Sequence, residues 1–490
     1  MLFYELLRFE RVNWAHGGAD VPVVGLSLDS RTSKYGTLFF CIRGAHRDGH
    51  EYVMDAYRRG CRHFVAEHTL VLPQDASVLV CSSVRRTMAV LAARYYGNPE
   101  KDIRLVGVTG TKGKTTTALM MQGLLERCGV CTAYIGSSGV AFGNTHISTE
   151  NTTPPSLDIF KYLRMIADYG IKTVVMEVSS QALATDRVYG LPFSTGIFTN
   201  LSKDHIGVGE HADMEEYRSS KMKLFTDFCP KRVILNSEES FTFDIMKGWK
   251  GETSILYGNG PKSLLKYRGL RQYKDNNYLY TSFVLDVDDR AHEVVLRFGG
   301  AHYVLDFLAA LSSAALVGGV PYATLLPWAS TLSVPGRCEV YTTPSGALVV
   351  IDYAHNGASL GAALSGLRPY TEGRLFCLFG AVGERTKCRR FDMAVAAERY
   401  ADFSVITSDN PGSEDVEKII EEIHVAFKDR SRSACIPERD EAIRYLLGIA
   451  GRGDVVLLAG KGNENYQLSA EGKTPFCERK IVEEFGAFRK

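Results

Sequence analysis

The chain has 490 residues, of which 45% are hydrophobic and 23% are charged, and its formal net charge is +1. The length predicts about three domains, because single hydrophobic cores stop growing at roughly 250–300 residues. The near-zero charge excludes a general attraction to nucleic acid or to anionic membranes, so any binding of anions must be local. The eleven cysteines include a single Cys-x-x-Cys pair, which we interpret as packing residues with reduced thiols.

Residues 1–101 predict a small α/β unit. The predicted elements are strands over 37–42, 63–66 and 77–81 and helices over 54–59 and 85–96. Residues 97–102 predict a linker, because they are polar and contain proline. Charged side chains break up the first eleven positions, so we expect no secretory signal and a cytoplasmic location.

Residues 102–334 predict a second unit, which opens on a nucleotide-binding motif. An apolar run over 103–108 leads into a glycine-rich turn and then into a helix-forming stretch from Ala118. This order is typical of a phosphate-binding loop, where backbone N–H groups and the positive end of a helix dipole converge on a polyphosphate. Lys114 is placed to reach the β- and γ-phosphates of ATP or GTP, and the Thr115 hydroxyl to bind Mg²⁺. The predicted nucleotide-binding residues are Gly110, Thr111, Lys112, Gly113, Lys114, Thr115 and Thr116.

Strands alternate with helices through the rest of this unit, which predicts a mostly parallel sheet with helices on both faces. The predicted strands are 130–135, 173–178, 195–198 and 232–235. Ligands of such sheets bind beyond the carboxyl ends of the strands. Glu177 and the Asp204-His205 pair follow two strands, so we expect them beside the phosphate loop; a structural ion pair is the alternative interpretation of each.

Residues 307–336 contain no charged side chain, which could suggest a membrane span. Two adjacent glycines and two prolines cut the stretch into short pieces, so we predict a buried core helix followed by a turn and no membrane span.

Residues 335–490 predict a third unit, a Rossmann-like α/β domain. The predicted strands are 347–352, 375–380, 403–407 and 454–459. Further glycine-rich turns follow two of these strands, at 380–383 and 460–462.

Eight short motifs occur in an order that resembles the Mur ligases. They are Gly110–Thr116, Asn151–Pro154, Met176–Leu183, Thr199–His205, Val334–Arg337, Asp352–His355, Asp409–Pro411 and Gly460–Gly462. The resemblance covers nearly the whole chain. It is closest to the branch that adds the third, diamino residue of the peptidoglycan stem peptide to UDP-MurNAc-L-Ala-D-Glu.

The resemblance implies a mechanism in which ATP phosphorylates the free D-glutamate carboxylate and an amine of the incoming amino acid attacks the acyl phosphate. It assigns catalysis to Lys114, Glu177, His205 and Lys221, and Mg²⁺ binding to Thr115, Glu177, His205 and Lys221. Lys221 matches a lysine that is carbamylated in relatives; from the residues alone it would be a solvated surface lysine. The enzyme would act in cell wall synthesis as a monomer.

The resemblance also assigns ligand-binding residues. Arg337 and Asp352 match residues on the ATP side of the site. The residues matched to the substrates are Leu28, Ser30, Asn151, Thr152, Thr153, Ser179, Arg187, Arg385, Asp409, Asn410, Glu414, Gly460 and Glu464. The chain departs from the family pattern at Tyr303 and Asp306, near the expected adenine site.

Gly412 bears on which amino acid is added. Ligases that use meso-diaminopimelate usually carry arginine there, because a guanidinium pairs bidentately with the distal carboxylate. Without that partner the carboxylate would be desolvated and unpaired. We therefore predict L-lysine or L-ornithine, with Asp409, Glu414 and Glu464 near its ammonium, and keep meso-diaminopimelate as the alternative.

Other classes explain less of the chain. A sister ligase adding D-alanyl-D-alanine or a folylpolyglutamate synthetase does not account for Asp29-Ser30-Arg31 together with Asp409-Asn410-Pro411. A non-catalytic nucleotide-binding relative would be expected to have lost Lys114, Glu177 or His205. A simple P-loop kinase or GTPase does not account for the second and third α/β units.

Overall fold

Three sheets with flanking helices organise the chain, and two smaller sheets are added to them. A computed structural model describes residues 1–7, 13–16, 21–44, 47–204, 206–207, 210–275, 278–384 and 386–489, with the backbone alone given for 13–16. Within these residues no sheet spans two of the units predicted above. The unit boundaries at 101 and 334 remain a prediction.

The N-terminal unit is built on a five-stranded sheet. Its elements are α1 (Phe3–Leu7), β1 (Asn13–His16), β2 (Gly25–Ser27), β3 (Thr37–Phe40), α2 (Val53–Arg58), β4 (His63–Ala66), β5 (Ser77–Val80) and α3 (Val84–Tyr95). The strand order is β1-β5-β4-β3-β2, parallel except for β1. Buried apolar side chains cover both faces of the sheet, as expected where strands are parallel.

The central unit is built on an eight-stranded sheet. Its elements are β6 (Arg104–Thr109), α4 (Lys114–Arg127), β7 (Thr132–Gly136), β8 (Gly139–Phe142), β9 (Thr145–Ile147), α5 (Ser156–Asp168), β10 (Thr173–Glu177), α6 (Ser180–Ala184), β11 (Phe193–Phe198), α7 (Met214–Thr226), β12 (Arg232–Asn236), α8 (Phe241–Gly248) and β13 (Thr253–Tyr257). The order is β13-β12-β11-β6-β10-β7-β8-β9, in which β8 alone runs opposite to the other strands, so the β7-β8 and β8-β9 pairings are antiparallel. Strand β6 therefore lies between β11 and β10, and all three end at the same edge.

A small antiparallel sheet and a buried helix follow. They are β14 (Lys266–Lys274), β15 (Leu279–Val287), β16 (Arg290–Leu296), α9 (His302–Gly318) and α10 (Tyr322–Leu325). Helix α9 packs against α4 under the central sheet and is capped at its C-terminal end by Gly319, which has a positive φ of 67°. This agrees with the predicted core helix over 307–336; the small sheet was not predicted.

The C-terminal unit is built on a six-stranded sheet. Its elements are β17 (Glu339–Thr342), β18 (Leu348–Asp352), α11 (Gly357–Leu367), β19 (Leu375–Phe379), α12 (Cys388–Tyr400), β20 (Phe403–Ile406), α13 (Val416–His424), β21 (Ser433–Cys435), α14 (Arg439–Ile449), β22 (Val455–Ala459), β23 (Tyr466–Ser469), β24 (Gly472–Pro475) and α15 (Glu478–Glu484). The order is β17-β18-β22-β19-β20-β21, parallel except for β17, and β23 pairs with β24 as a hairpin.

The predicted fold class, an α/β architecture with a mostly parallel central sheet and a second α/β sheet near the C-terminus, is confirmed. Among the described residues no single helix is long and apolar enough to cross a membrane. One bent pair, α9 with 322–331, passes the same test of length and composition, at an angle of 118°.

Candidate active site

The phosphate-loop motif forms the turn between β6 and α4. Gly110 and Gly113 have φ of 154° and 80°, values that favour glycine because a side chain would clash with the backbone. The Lys114 ammonium curls back over the turn and donates to the carbonyls of Gly110 and Thr111, each at 3.0 Å. Its burial lowers the pKa of Lys114 to about 8. Thr115 and Thr116 are buried in the first turn of α4.

The end of β11 holds this loop in place. Asn200 donates to the carbonyl of Lys112 and accepts from its N–H at 2.8 Å, and the Thr199 hydroxyl donates to the same carbonyl at 2.6 Å. The Thr111 hydroxyl exchanges hydrogen bonds with the backbone of Ser202. The structure therefore brings the polar residues after β11 against the phosphate loop, as the sheet order predicts.

Glu177 ends β10, on the other side of β6, and is fully buried. One carboxylate oxygen, Oε1, accepts from the Tyr134 hydroxyl and from the Ser137 N–H at 2.9 Å. The other, Oε2, has one long hydrogen bond of 3.3 Å to the Ser137 hydroxyl. The carboxylate is thus held in a fixed orientation with lone pairs of Oε2 remaining. Together with the hydroxyl of Thr115, in the first turn of α4, this carboxylate offers the oxygen ligands that suit Mg²⁺.

Lys221 lies on α7 and is buried, with only 1% of its surface exposed. Its ammonium donates to the Gly110 carbonyl at 2.8 Å and lies 4.4 Å from the ring centre of Tyr217. Burial, reinforced by the positive charge of Lys114, holds the pKa of Lys221 well below its usual range. The structure therefore places Lys221 at the phosphate loop and excludes the solvated surface position.

Several residues matched to the substrate cluster beside Glu177. The Thr153 hydroxyl donates to the Glu177 carbonyl at 2.9 Å and accepts from the Ser179 N–H at 3.0 Å. Arg187 donates to the Thr153 carbonyl at 3.0 Å, and the Thr152 hydroxyl is 2.9 Å from that of Ser137.

Three further residues matched to the substrate lie in the first half of the chain. Asn151 is exposed and directly precedes Thr152 of this cluster. Leu28 and Ser30 lie in the N-terminal unit, after β2.

The residues matched to the ATP side lie where the central and C-terminal units meet. Asp352 ends β18, and its Oδ2 accepts from the Tyr303 hydroxyl at 2.9 Å and from the Cys338 N–H at 3.0 Å. The Arg337 guanidinium stacks over the Tyr353 ring at 4.7 Å. Tyr303 therefore already donates a hydrogen bond to the carboxylate that the resemblance assigns to the ATP side.

Four of the predicted amino-acid-binding residues gather around a lysine that sequence reasoning missed. Lys461 is buried, and its ammonium lies 2.8 Å from Asn410 Oδ1 and 3.5 Å from carboxylate oxygens of both Asp409 and Glu464. Asn410 also donates to Glu464 at 2.9 Å. Gly460 has a φ of 119°, and a side chain there would meet the Asp409 carboxylate. The signal for Lys461 was its position between two glycines after a buried strand.

Gly412 and Glu414 lie in the loop that follows β20, just beyond Asp409 and Asn410. The Arg390 guanidinium donates to Glu414 at 2.7 Å, and this hydrogen bond lowers the pKa of Glu414 to about 2. Gly412 has a φ of 61°, and a Cβ built there would lie 3.0 Å from the Glu384 carboxylate. Arg390 is therefore paired with Glu414, and the Glu384 carboxylate lies beside Gly412.

Asp204 joins the C-terminal unit to the phosphate loop. Its Oδ2 accepts from the Lys112 ammonium and from the Asn356 amide, each at 2.9 Å, and its Oδ1 accepts from the Arg389 guanidinium at 3.0 Å. Asn356 and Arg389 have no sequence signal for this role, since the contact depends on how the units pack. His205 and Arg385, two predicted site residues, lie outside the described residues.

Comparison with known proteins gives a consistent result. Residues 108–314 match the Mur ligase middle domain, and residues 336–462 match the Mur ligase glutamate ligase domain. The chain is 35% identical over 478 residues, 96% of each chain, to the UDP-N-acetylmuramoyl-L-alanyl-D-glutamate–2,6-diaminopimelate ligase of Geobacillus kaustophilus. It is 36% identical over 472 residues, again 96% of each chain, to ligase 1 of the same name from Clostridium acetobutylicum. A solved structure of a ligase with this name aligns with a TM-score of 0.67 at 26% identity, over 99% of this chain and 98% of that one.

A phosphate loop with a fixed carboxylate beside it, closed by a second α/β unit, is the arrangement of an ATP-using ligase. The chain belongs to the Mur ligase family. Within the family it is an ATP-dependent acid–amino-acid ligase of the UDP-MurNAc-tripeptide synthetase type. The relatives' names give 2,6-diaminopimelate as the added amino acid, so the preference for lysine or ornithine is not confirmed.

Proposed function

We propose that the chain joins the free D-glutamate carboxylate of UDP-MurNAc-L-Ala-D-Glu to an amino group of a diamino acid, with hydrolysis of ATP. The observation that carries this proposal is the convergence of Lys114 and Lys221 on the Gly110 carbonyl, at the sheet edge that Glu177 also borders. The Lys114 ammonium at this turn suits a polyphosphate whose charge must be neutralised during phosphoryl transfer, and the Lys221 amine lies at the same turn, where a carbamate formed on it would face the Mg²⁺ that accompanies ATP. The family membership supports the same reaction.

Two chemical steps follow from these groups. A D-glutamate carboxylate oxygen attacks the γ-phosphorus of ATP, ADP leaves, and Lys114 balances the charge that develops on the transferred phosphoryl group. The amine of the diamino acid then attacks the acyl carbon, and phosphate leaves as the amide forms and the amine loses a proton. The contact of Asp204 with Arg389 and Asn356 closes the C-terminal unit over the loop, which excludes water from the acyl phosphate.

Thr115 and Glu177 would hold Mg²⁺, with His205 and a carbamate on Lys221 as the further ligands proposed from the resemblance. The ion would neutralise the phosphate oxygens when bound. Carbamylation requires a neutral amine to attack carbon dioxide, and the burial of Lys221 favours the neutral form.

Incubation with ¹³C-bicarbonate tests the modification. We expect a carbamate ¹³C resonance that is lost in Lys221→Arg and retained in Lys223→Arg, a matched control on the same helix. A resonance that persists in Lys221→Arg would contradict the assignment.

The added amino acid has two candidates. The relatives' names favour meso-diaminopimelate. Because residue 412 is glycine, the distal carboxylate of meso-diaminopimelate would then need a cation from another residue. Arg385 is the candidate from the sequence, since Arg390 pairs with Glu414.

One local observation favours L-lysine or L-ornithine instead. Gly412 supplies no cation, and the side chain nearest to it is the Glu384 carboxylate. A terminal ammonium is better accommodated beside this carboxylate than a second carboxylate would be.

Phosphate release from ATP decides between the candidates and tests the function itself. Turnover should require both UDP-MurNAc-L-Ala-D-Glu and one amino acid; meso-diaminopimelate, L-lysine and L-ornithine are added separately. Release without any amino acid would favour a kinase or hydrolase and overturn the proposal.

Gly412→Arg should shift preference toward meso-diaminopimelate, and Gly412→Ala, which introduces the same backbone strain without the charge, should not. Equal effects of the two variants would show that residue 412 does not select the substrate.

A further inference from the structure

Two arginines border the contact between the N-terminal and central units: Arg85 directly precedes Arg86 and Arg187 directly follows Asp186, and Arg86 and Asp186 form an ion pair across this contact. Arg85 lies in the first turn of α3, is half-buried, and donates to the carbonyl of Arg43 at 3.0 Å. Arg187 lies after α6 in the central unit, is also half-buried, and donates to the Thr153 carbonyl at 3.0 Å. Each guanidinium is therefore held by one backbone carbonyl, on opposite sides of the contact.

Neither guanidinium has an acidic partner at ion-pair distance among the residues that the structure describes. The adjacent Arg86 is different: it pairs with Asp186 at 3.0 Å and its guanidinium stacks over the Tyr189 ring at 5.1 Å. Asp186 directly precedes Arg187 in the sequence and forms its ion pair with the exposed Arg86, while the charges of Asp186 and Glu67 act on Arg85 from beyond ion-pair distance. Burial outweighs these two carboxylates and lowers the pKa of Arg85, so its positive charge is compensated only in part.

This arrangement is costly for a structural contact. The first turn of α3 carries no acidic residue and holds Arg85 and Arg86 near the positive end of the helix dipole, where cations are disfavoured. Burial lowers the pKa of Arg187, and the charge of Arg85 lowers it further. Like charges that a protein holds together in a half-buried place are stabilised when an anion binds between them.

The position of the two arginines relative to the active site limits which anions could bind between them. Arg187 contacts Thr153, whose hydroxyl bonds to the backbone of Glu177 at the Mg²⁺ site proposed above. Arg85 contacts Arg43, which follows the N-terminal strand β3 and pairs with Asp48. An anion between the two arginines would therefore lie between the N-terminal unit and the phosphate loop.

We propose that Arg85 is a substrate-binding residue, which together with Arg187 binds an anionic group of the UDP-MurNAc-L-Ala-D-Glu substrate. This rests on the proposed function. The chemistry that the pair recognises is shared by two parts of the substrate, the diphosphate and the α-carboxylate of D-glutamate, since guanidinium groups bind both bidentately.

Steady-state kinetics of Arg85→Ala, with Arg86→Ala as the neighbouring control, test the proposal. We expect the KM for UDP-MurNAc-L-Ala-D-Glu to rise about 10- to 100-fold in Arg85→Ala, the range for loss of a charged hydrogen-bonding partner. The KM for ATP and the kcat at saturation should stay within about twofold, because the arginine does not touch the reacting atoms. Arg85→Lys keeps the charge but not the planar fork, and should recover part of the affinity.

Calorimetric titration with UDP separates the two sources. Weaker UDP binding by Arg85→Ala would assign the pair to the diphosphate; unchanged UDP binding with a raised KM for the complete substrate would assign it to the D-glutamate carboxylate. Equal KM values for Arg85→Ala, Arg86→Ala and the unmodified protein would overturn the proposal. If the unmodified protein binds UDP but turns over no substrate, the proposed reaction fails while the proposed site can still be tested. In that case, unchanged UDP binding by Arg85→Ala would overturn the role of Arg85.

Discussion

The buried ion pair between Arg439 and Glu478 should control the geometry of the amino-acid site. Arg439 Nε and one terminal nitrogen donate to Glu478 Oε1 at 2.9 and 2.7 Å, and both side chains are at most 1% exposed. The same guanidinium donates to the carbonyls of Ser408 and Ala459 at 2.9 and 2.7 Å. These two residues directly precede Asp409 and Gly460, so Arg439 fixes the spacing of the two loops that carry the predicted amino-acid-binding residues.

Glu478→Ala should destabilise the C-terminal unit by about 3–5 kcal/mol, because it leaves a buried guanidinium without its counter-ion. The lower end is expected, since Arg439 keeps two carbonyl acceptors. Glu484→Ala is the matched control on the same helix, since Glu484 forms an exposed pair with Arg444 and its loss should cost about 0–1 kcal/mol. Loosening of the two loops should also raise the KM for the diamino acid, with the KM values for ATP and for the UDP substrate unchanged.

Hydrogen exchange read by mass spectrometry measures the local effect, because a chain of several units does not unfold in one step. Peptides from β22 and α15 should exchange faster in Glu478→Ala. All three tryptophans, Trp14, Trp249 and Trp328, lie before residue 335, so the tryptophan unfolding curve is an internal control that should not move. Equal exchange in Glu478→Ala and Glu484→Ala, or a KM for ATP that rises as much as that for the amino acid, would refute the reasoning.

Three further predictions concern other parts of the site. Gly113→Ala should abolish ATP binding in calorimetry, because its Cβ would lie 2.1 Å from an oxygen of the buried Asp306 carboxylate. Gly129→Ala, also at positive φ but in open space, should bind ATP normally. ATP binding by Gly113→Ala would contradict the loop geometry. Asp204→Asn should lower kcat about tenfold, since this carboxylate joins cations of the central and C-terminal units. The variant should also have a larger radius of gyration in solution scattering with ATP bound. An unchanged kcat would show that this contact does not aid closure. The arginine partner of Glu414 lowers its pKa from 4.5 to about 2, so its stabilising contribution is complete above about pH 4.5 and is lost as the pH falls toward 2; thermal denaturation between pH 5 and 3 should show a smaller loss for Glu414→Gln than for the unmodified protein, and parallel losses would refute the pKa shift.

The central site was predictable because its signals are local. A buried strand, a glycine turn and a helix follow one another within Arg104–Arg127, and the sheet order brings Glu177 and Asn200 to the same edge. The small sheet over 266–296 was missed although β15 alternates buried and half-buried residues along its whole length. That period of two was a readable signal for a strand.

Most contacts that set specificity could not be predicted, because they join residues far apart in the sequence; the contact of Lys461 with Glu464, three positions apart, is the exception. Counting acidic residues from the sequence suggested three carboxylates for an incoming ammonium. The fold pairs Asp409 and Glu464 with Lys461, and Glu414 with Arg390. A carboxylate that already has an internal cation attracts a substrate ammonium less strongly than an unpaired one. The choice between diamino acids therefore depends on the balance of charge around Gly412 and Glu384, which the substrate comparison with Gly412→Arg measures directly.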